Sequence, residues 1–186
     1  MFGIVILVVL VLAVLWLVGQ FNGLVGLRNQ VQNAWAQIDV QLKRRADLIP
    51  NLVNTVKGVM KFEQDTLEKV MNARARAMSA TTVADRGAAE NDVSQGLGRL
   101  LAVMENYPEL KSNQNALNLQ EELSATENKI GFARQFYNDI VMKFNTSQQV
   151  FPTNVIAGMF NFKTADLLQV AETDRAVPTV NLSTTA

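Results

Sequence analysis

The 186 residues include no histidine and no cysteine, so any chemistry here rests on Asp, Glu, Lys, Arg, Ser, Thr and Tyr. The commonest general acid/base and the commonest metal ligand are both missing. Zinc sites built from His and Cys are excluded, as are Ser-His-Asp and Cys-His arrangements. The charged residues that stand out are those whose spacing turns them toward apolar stripes. At 100° per residue, Arg45 lies within about 20° of Ile38 on a helix. On the same basis Glu127 and Arg134 lie within about 40° of Leu123, and Asn138 lies near that face. A buried charge is costly unless paired. A polar layer is therefore expected across the helices, with Glu127 meeting Arg45 or Arg134. It could be a register-fixing ion pair, a pair of arginines snorkelling to solvent, or a ligand or partner site. Asp39 and Lys43, four apart with the acid first, are expected to form a surface helix pair. An enzyme of this composition would need paired carboxylates in a cleft, and the pattern indicates a long bundle instead. The reading is non-enzymatic, with no catalytic residue, metal or cofactor.

These side chains must be positioned by helices. Leu24, Leu27, Val31, Ala34, Ile38, Leu42, Ile49, Leu52 and Val56 recur in steps of three and four, which marks one face of an amphipathic helix. The pattern resumes through Val59, Leu67, Val70 and Met71. A first helix from Leu24 to Ser79, about 80 Å long, is expected to bend at Pro50. Thr81 to Gly87 reads as a loop. A second helix carries Val93, Leu97, Leu100, Leu101 and Met104 and stops at Pro108. A third, capped by Ser112 or Asn113, carries Ala116, Leu119, Leu123, Ile130, Tyr137, Val141 and Phe144 and ends near Asn145. A Phe-rich stretch follows, then a short helix through Asp166 to Val170 and a polar tail. The fold expected is all-α: an N-terminal transmembrane helix continuing into an elongated three- to four-helix antiparallel bundle. Its divisions are an anchor at 1–20, the bundle at 21–148, a Phe-rich segment at 149–171 and a flexible tail at 172–186.

The anchor is Met1 to Gly19, which holds no charged residue. As a helix it spans about 28 Å, close to the roughly 30 Å of a bilayer core. Ile4 and Leu10 belong inside the bilayer, and Trp16 sits where an aromatic belt residue belongs. A cleaved signal peptide would want a positive first region and a small-x-small cleavage site, and neither is present. Arg28, then Lys43, Arg44 and Arg45, follow the span. The positive-inside rule therefore favours an outside N-terminus and a cytoplasmic bundle, with a periplasmic bundle as the alternative.

Phe132 and Phe136 lie roughly opposite Leu123, where a helix buried on one face would not place them. The nearest cover is the segment Phe151, Met159, Phe160 and Phe162, folding back over that face. A neighbouring subunit is the second possible cover. Contact of the Phe-rich segment with the membrane is the third reading, with Lys163 the one basic residue close by. The chain carries 17 basic and 17 acidic side chains, and Lys43-Arg44-Arg45 is split across helix faces. Nucleic-acid binding is therefore not expected.

Two blocks, AWAQIDVQLKRRADLIPNLVNTVKG and NLQEELSATENKIGFARQFYNDIVMKFN, resemble the signature of the LemA family. FPTNVIAGMFNF and the apolar N-terminus are similar as well, and the tail looks lineage-specific. The resemblance implies a bacterial inner-membrane protein anchored by one helix, with its helical bundle inside and no established activity or cofactor. It also implies signature residues at Asp39, Arg44, Arg45, Asp47, Pro50, Asn51, Glu127, Asn128, Arg134, Asn138 and Asp139. Expected partners are the lipid bilayer and further copies of the chain in a homo-oligomeric scaffold. The alternative is an adaptor docking onto another membrane protein, such as a protease or transporter.

Overall fold

A computed structural model describes residues 1–168. In chain order it contains α1 (Phe2–Val56), α2 (Gln64–Ser79), α3 (Val83–Met104), α4 (Pro108–Lys111), α5 (Gln114–Gln149) and α6 (Thr153–Met159). The expected all-α bundle is present. Helix α1 runs unbroken from the apolar run into the bundle, 55 residues, or about 82 Å. Its first part is long and apolar enough to cross a membrane, and none of that window is covered by the rest of the protein. Ile4, Leu10 and Trp16 all face outward there.

The expected helix over residues 24–79 is two helices. α1 ends at Val56, and a turn follows in which the Val59 and Met60 amides both donate to Val56 O. Gly58 weakens the helix at this point, and the turn buries Met60 completely. α2 then returns antiparallel along α1. Pro50 lies inside α1 and supplies no N–H, so the carbonyl four residues earlier loses its helical donor. That carbonyl, Ala46 O, accepts from Arg74 Nε of α2 at 2.5 Å.

The expected loop at Thr81–Gly87 is mostly the first turn of α3. Thr82 Oγ1 accepts from the Asp85 amide at 3.0 Å, the bond of an N-cap, and donates to the Asp85 carboxylate at 2.6 Å. α2 and α3 approach closely because Gly96 faces Val70: a methyl at Gly96 would come within 3.3 Å of the valine side chain. Pro108 opens the short α4. Asn113 caps α5 as expected, its Oδ1 accepting from the Asn115 and Ala116 amides.

Two apolar cores result. The core far from the anchor is built by α1, α2, α3, α4 and the start of α5, from Ile49 to Met60, Val70, Leu100 and Leu123. The core near the anchor is built by α1 and α5 with α6, from Leu24 to Leu42 and from Ile130 to Phe144. Each fully buried Leu or Ile contributes about 1.5–3 kcal/mol.

The short helix expected through Asp166 is not found. The regular structure lies earlier, in α6, and residues 162–168 form a non-helical strap. Asn161, at φ 54°, occupies the left-handed position that ends α6. The Phe162 amide donates to Ala157 O and the Asn161 amide to Gly158 O, the paired bonds of a Schellman cap. The strap is then held by side-chain amides of α5. Asn145 donates to Ala165 O and accepts from the Ala165 amide, and Asn138 does the same with Leu168, all at 2.9 Å. The spacing explains the match. Seven helical residues rise about 10.5 Å, and three extended residues cover about 10 Å. Tyr137 also donates to Asp166 O at 2.9 Å. The expected end of that helix, Val170, and the tail at 172–186 lie outside the described residues.

Candidate functional site: a buried charged layer

The polar layer separates the two cores. Arg45 is 1% exposed, one turn before Ile49 and one turn after Leu42. Its guanidinium meets the carboxylates of Glu127 on α5 and Glu90 on α3. It also donates to Ser94 Oγ at 2.7 Å and to Glu90 O at 3.2 Å. Ser94 in turn donates to Glu127 Oε2 at 3.1 Å, and Thr126 is buried with its hydroxyl donating to Glu122 O. The expected Arg45–Glu127 pair is therefore present, within a larger network. Arg86 extends it, bonding Glu90 Oε1 at 3.3 Å and Asp39 Oδ1 at 2.9 Å.

Glu90 and Ser94 were not among the sequence candidates. Glu90 precedes Leu97 by seven residues, the spacing that placed Arg45 beside Ile38. Glu90 lies just before Val93, the first residue of the apolar stripe read for this helix, so its place on that face went unread. Arg134 donates to Asn91 Oδ1 at 2.9 Å. Asn138 serves the strap rather than the Arg45 cluster. The expected Asp39–Lys43 pair is replaced by two others: Asp39 reaches Arg86, and Lys43 lies 3.5 Å from Asp47. Asp39 is drawn away because α3 packs parallel to α1 and brings a second arginine to it. Arg44 pairs with Glu122 at the surface, Asn51 O accepts from Thr55 Oγ1, and Asn128 and Asp139 are exposed.

A cavity of about 200 Å³ lies beside the layer, between α1, α2 and α3. Each charged group in its wall has a protein partner: Lys43 with Asp47, Arg86 with Asp39 and Glu90, Arg45 with Glu90, and Arg74 with Ala46 O. Among the described residues, no three acidic side chains come together as a metal site. The layer ties α1, α3 and α5 at one height. A shift of α1 by one turn would carry Arg45 away from both carboxylates and leave it buried without a counter-charge.

The Phe-rich segment does not cover Phe132 and Phe136. It packs at the anchor end instead. Phe160 and Phe162 lie 4.6 Å and 5.8 Å from Phe21, ring centre to ring centre, and Phe162 also meets Phe144. The reason is the strap, whose backbone bonds to Asn145 and Asn138 carry it down the opposite side of α5. Phe132 is 74% exposed and Phe136 48%. With Val40, Gln37, Gln41, Lys129 and Ala133 they line an open groove of about 460 Å³ between α1 and α5. In its floor Gln41 Oε1 is buried without a hydrogen-bond partner among the described residues.

A family model described as LemA family matches residues 34–182. The match includes most of the polar tail, so the tail is not the lineage-specific addition that the resemblance suggested. Protein LemA of Metamycoplasma hominis is 29% identical over 160 residues, covering 85% of this chain and 73% of that protein. Magnetosome protein MamQ 2 of Paramagnetospirillum magneticum is 25% identical, covering 81% of this chain and 65% of its own length. Magnetosome protein MamQ of Magnetospirillum gryphiswaldense is 21% identical, covering 77% and 62%. The chain thus spans slightly less than two-thirds of the two magnetosome proteins.

Proposed function

We propose that this chain, which belongs to the LemA family, is a membrane-anchored, non-enzymatic scaffold whose protomers associate side by side. The observation that carries the reading is the Val40–Phe132–Phe136 face. Three large apolar side chains stand in solvent on the two longest helices, around a groove with an unpartnered acceptor in its floor. Contiguous exposed apolar surface of this kind marks an interaction site. A buried acceptor without a donor costs about 1–3 kcal/mol, and a donor from a neighbouring chain would recover it. The face runs along the bundle axis, so copies anchored in one membrane could meet there without tilting. Such side-by-side contacts close into rings when the rotation between copies allows.

The anchor would lie in the bacterial inner membrane with the bundle on the cytoplasmic side, as the position of Arg28 favours. The charged layer would act as the fixed spacer that keeps the face flat, not as a reaction centre.

The test is the mass of the full-length protein in mild detergent. Large uniform particles are expected, and Phe136→Asp should reduce them to protomers while the helical content stays unchanged. Equal masses for both proteins would remove this face from the assembly. If the wild-type protein is itself a protomer, the face serves a different membrane protein, and the adaptor reading replaces this one.

A further inference from the structure

The anchor end of the bundle carries a second exposed apolar surface, distinct from the Phe136 face. Phe151, Val155, Met159 and Phe160 are 82%, 52%, 74% and 58% exposed. Their height is fixed by contacts to α1. Thr153 Oγ1 bonds Gln20 Oε1 at 3.2 Å, and Phe160 packs on Phe21. Gln20 directly follows the apolar run. The rings therefore sit within a turn or two of the span's end, and the interfacial layer extends about 5–7 Å beyond the hydrocarbon on each side.

The charge pattern agrees. No acidic residue precedes Asp39, and none lies between Asp139 and Asp166. Arg28 and Lys163 are exposed here and form no ion pair among the described residues. The Arg28 guanidinium lies 5.4 Å from the centre of the Phe162 ring, which places it at the border of the apolar patch. Each such cation raises affinity for an anionic lipid surface about fivefold.

We infer that Phe151, Val155, Met159 and Phe160 form a collar that seats in the interfacial layer of the bilayer the anchor enters, with Arg28 and Lys163 on anionic headgroups. The occupant is lipid because the patch is continuous with the span and the flanking charge is positive. Apolar faces carrying Phe, Leu or Trp that lie on a bilayer bury themselves about 5–10 Å into the boundary between headgroups and acyl chains. The collar gives the protein a second membrane contact, off the axis of α1. Two contacts fix the bundle's tilt and its rotation about α1, which one helix alone leaves free. The inference rests on the anchor reading and does not depend on self-association.

The absence of cysteine allows single-site labelling of the full-length protein. It is reconstituted in vesicles of phosphatidylcholine and phosphatidylglycerol. An environment-sensitive fluorophore is placed in turn at Met159→Cys, Val155→Cys, Trp16→Cys and, at the far tip, Glu105→Cys. Lipids spin-labelled near the headgroup and aqueous iodide serve as quenchers. The expected result is blue-shifted emission at 159 and 155 with loss of most signal to the lipid quencher, and quenching of 105 by iodide alone. Quenching of 16 by lipid, with 159 and 155 quenched by iodide only, overturns the collar and leaves the anchor intact. Protection of 159 and 155 from both quenchers means a second copy covers the patch, and also overturns it. If 16 itself escapes the lipid quencher, the anchor reading fails and the collar falls with it. Agreement between probes 155 and 159 guards against local distortion from either substitution.

Discussion

Arg45 illustrates how much one residue can decide. Its charge is shared between two carboxylates, one of which, Glu90, is almost as buried as Arg45 itself. Removing one partner of a buried pair costs about 3–5 kcal/mol, and without Arg45 the buried Glu90 would keep, among the described residues, only Arg86, at 3.3 Å. Arg45→Ala should therefore lower stability by about that amount in chemical unfolding. Replacing Arg45, Glu90 and Glu127 together by apolar residues should recover most of the loss. If the triple variant is no better than Arg45→Ala, the layer is not behaving as a coupled ion network. Half of this network was legible in the sequence, because Arg45 and Glu127 each fall on an apolar stripe. Glu90 has the same spacing to Leu97, but it lies between the Thr81–Gly87 loop and Val93, the first apolar residue assigned to the stripe of the second helix.

The strap depends on residues of another kind. Burial first, and the nearby Asp166 carboxylate second, push the Tyr137 hydroxyl above its ordinary pKa of 10.0. The folded form therefore holds its proton more tightly than the unfolded one. Its stabilisation is complete below pH 10.0 and fades as pH climbs from there through the raised folded value. A fluorophore at Leu167→Cys should gain mobility across that alkaline window. Tyr137→Phe should abolish this step and weaken strap docking by about 0.5–1.5 kcal/mol at neutral pH. A step that survives Tyr137→Phe would assign it to another group.

At the scale of elements, Pro50 and Arg74 explain one another. The proline frees Ala46 O, and the arginine of the returning helix fills it. Arg74→Ala should cost more with Pro50 present than in Pro50→Ala, where the restored amide can satisfy Ala46 O. A double-mutant cycle should give a coupling of about 1 kcal/mol. Additive effects would mean that Arg74 acts only through packing. The sequence marks Pro50 as a place where the helix bends. It does not show that the helix continues to Val56 and breaks in the Lys57–Glu63 turn instead. Proline removes one bond, and a long-range donor replaced it. Gly58 and the burial of Met60 were the stronger interruption.

At the scale of the molecule, two cores of different make-up share one pair of long helices. Away from the membrane α1 to α5 all contribute to the core, and near it α1 and α5 are covered by α6, the strap and Val83 at the start of α3. α2, at 16 residues, has Ala77 and Met78 near its end beside Asp39 and Ala46, on a different side of α1 from Val40. The face of Val40, Phe132 and Phe136 is open because none of the described residues of α2, α3 or α6 lines it. A polar substitution at an exposed site should change folding stability by less than about 0.5 kcal/mol. Phe136→Asp should therefore shift particle mass without shifting the protomer's unfolding midpoint, which a detergent-matched melt would check.

The sequence alone determined the helical class, the apolar span, the faces of α1 and α5, and the inward charge at Arg45. Each of these is periodicity within one element, and periodicity is local. The tertiary structure decided where α1 turns back, which acids Arg45 meets, and which side of α5 the Phe-rich segment covers. It also carried Asn138 and Asn145 from helix face and helix end to a backbone clamp. These outcomes depend on two segments far apart in the chain matching in rise and polarity at one place, and no single segment encodes that match.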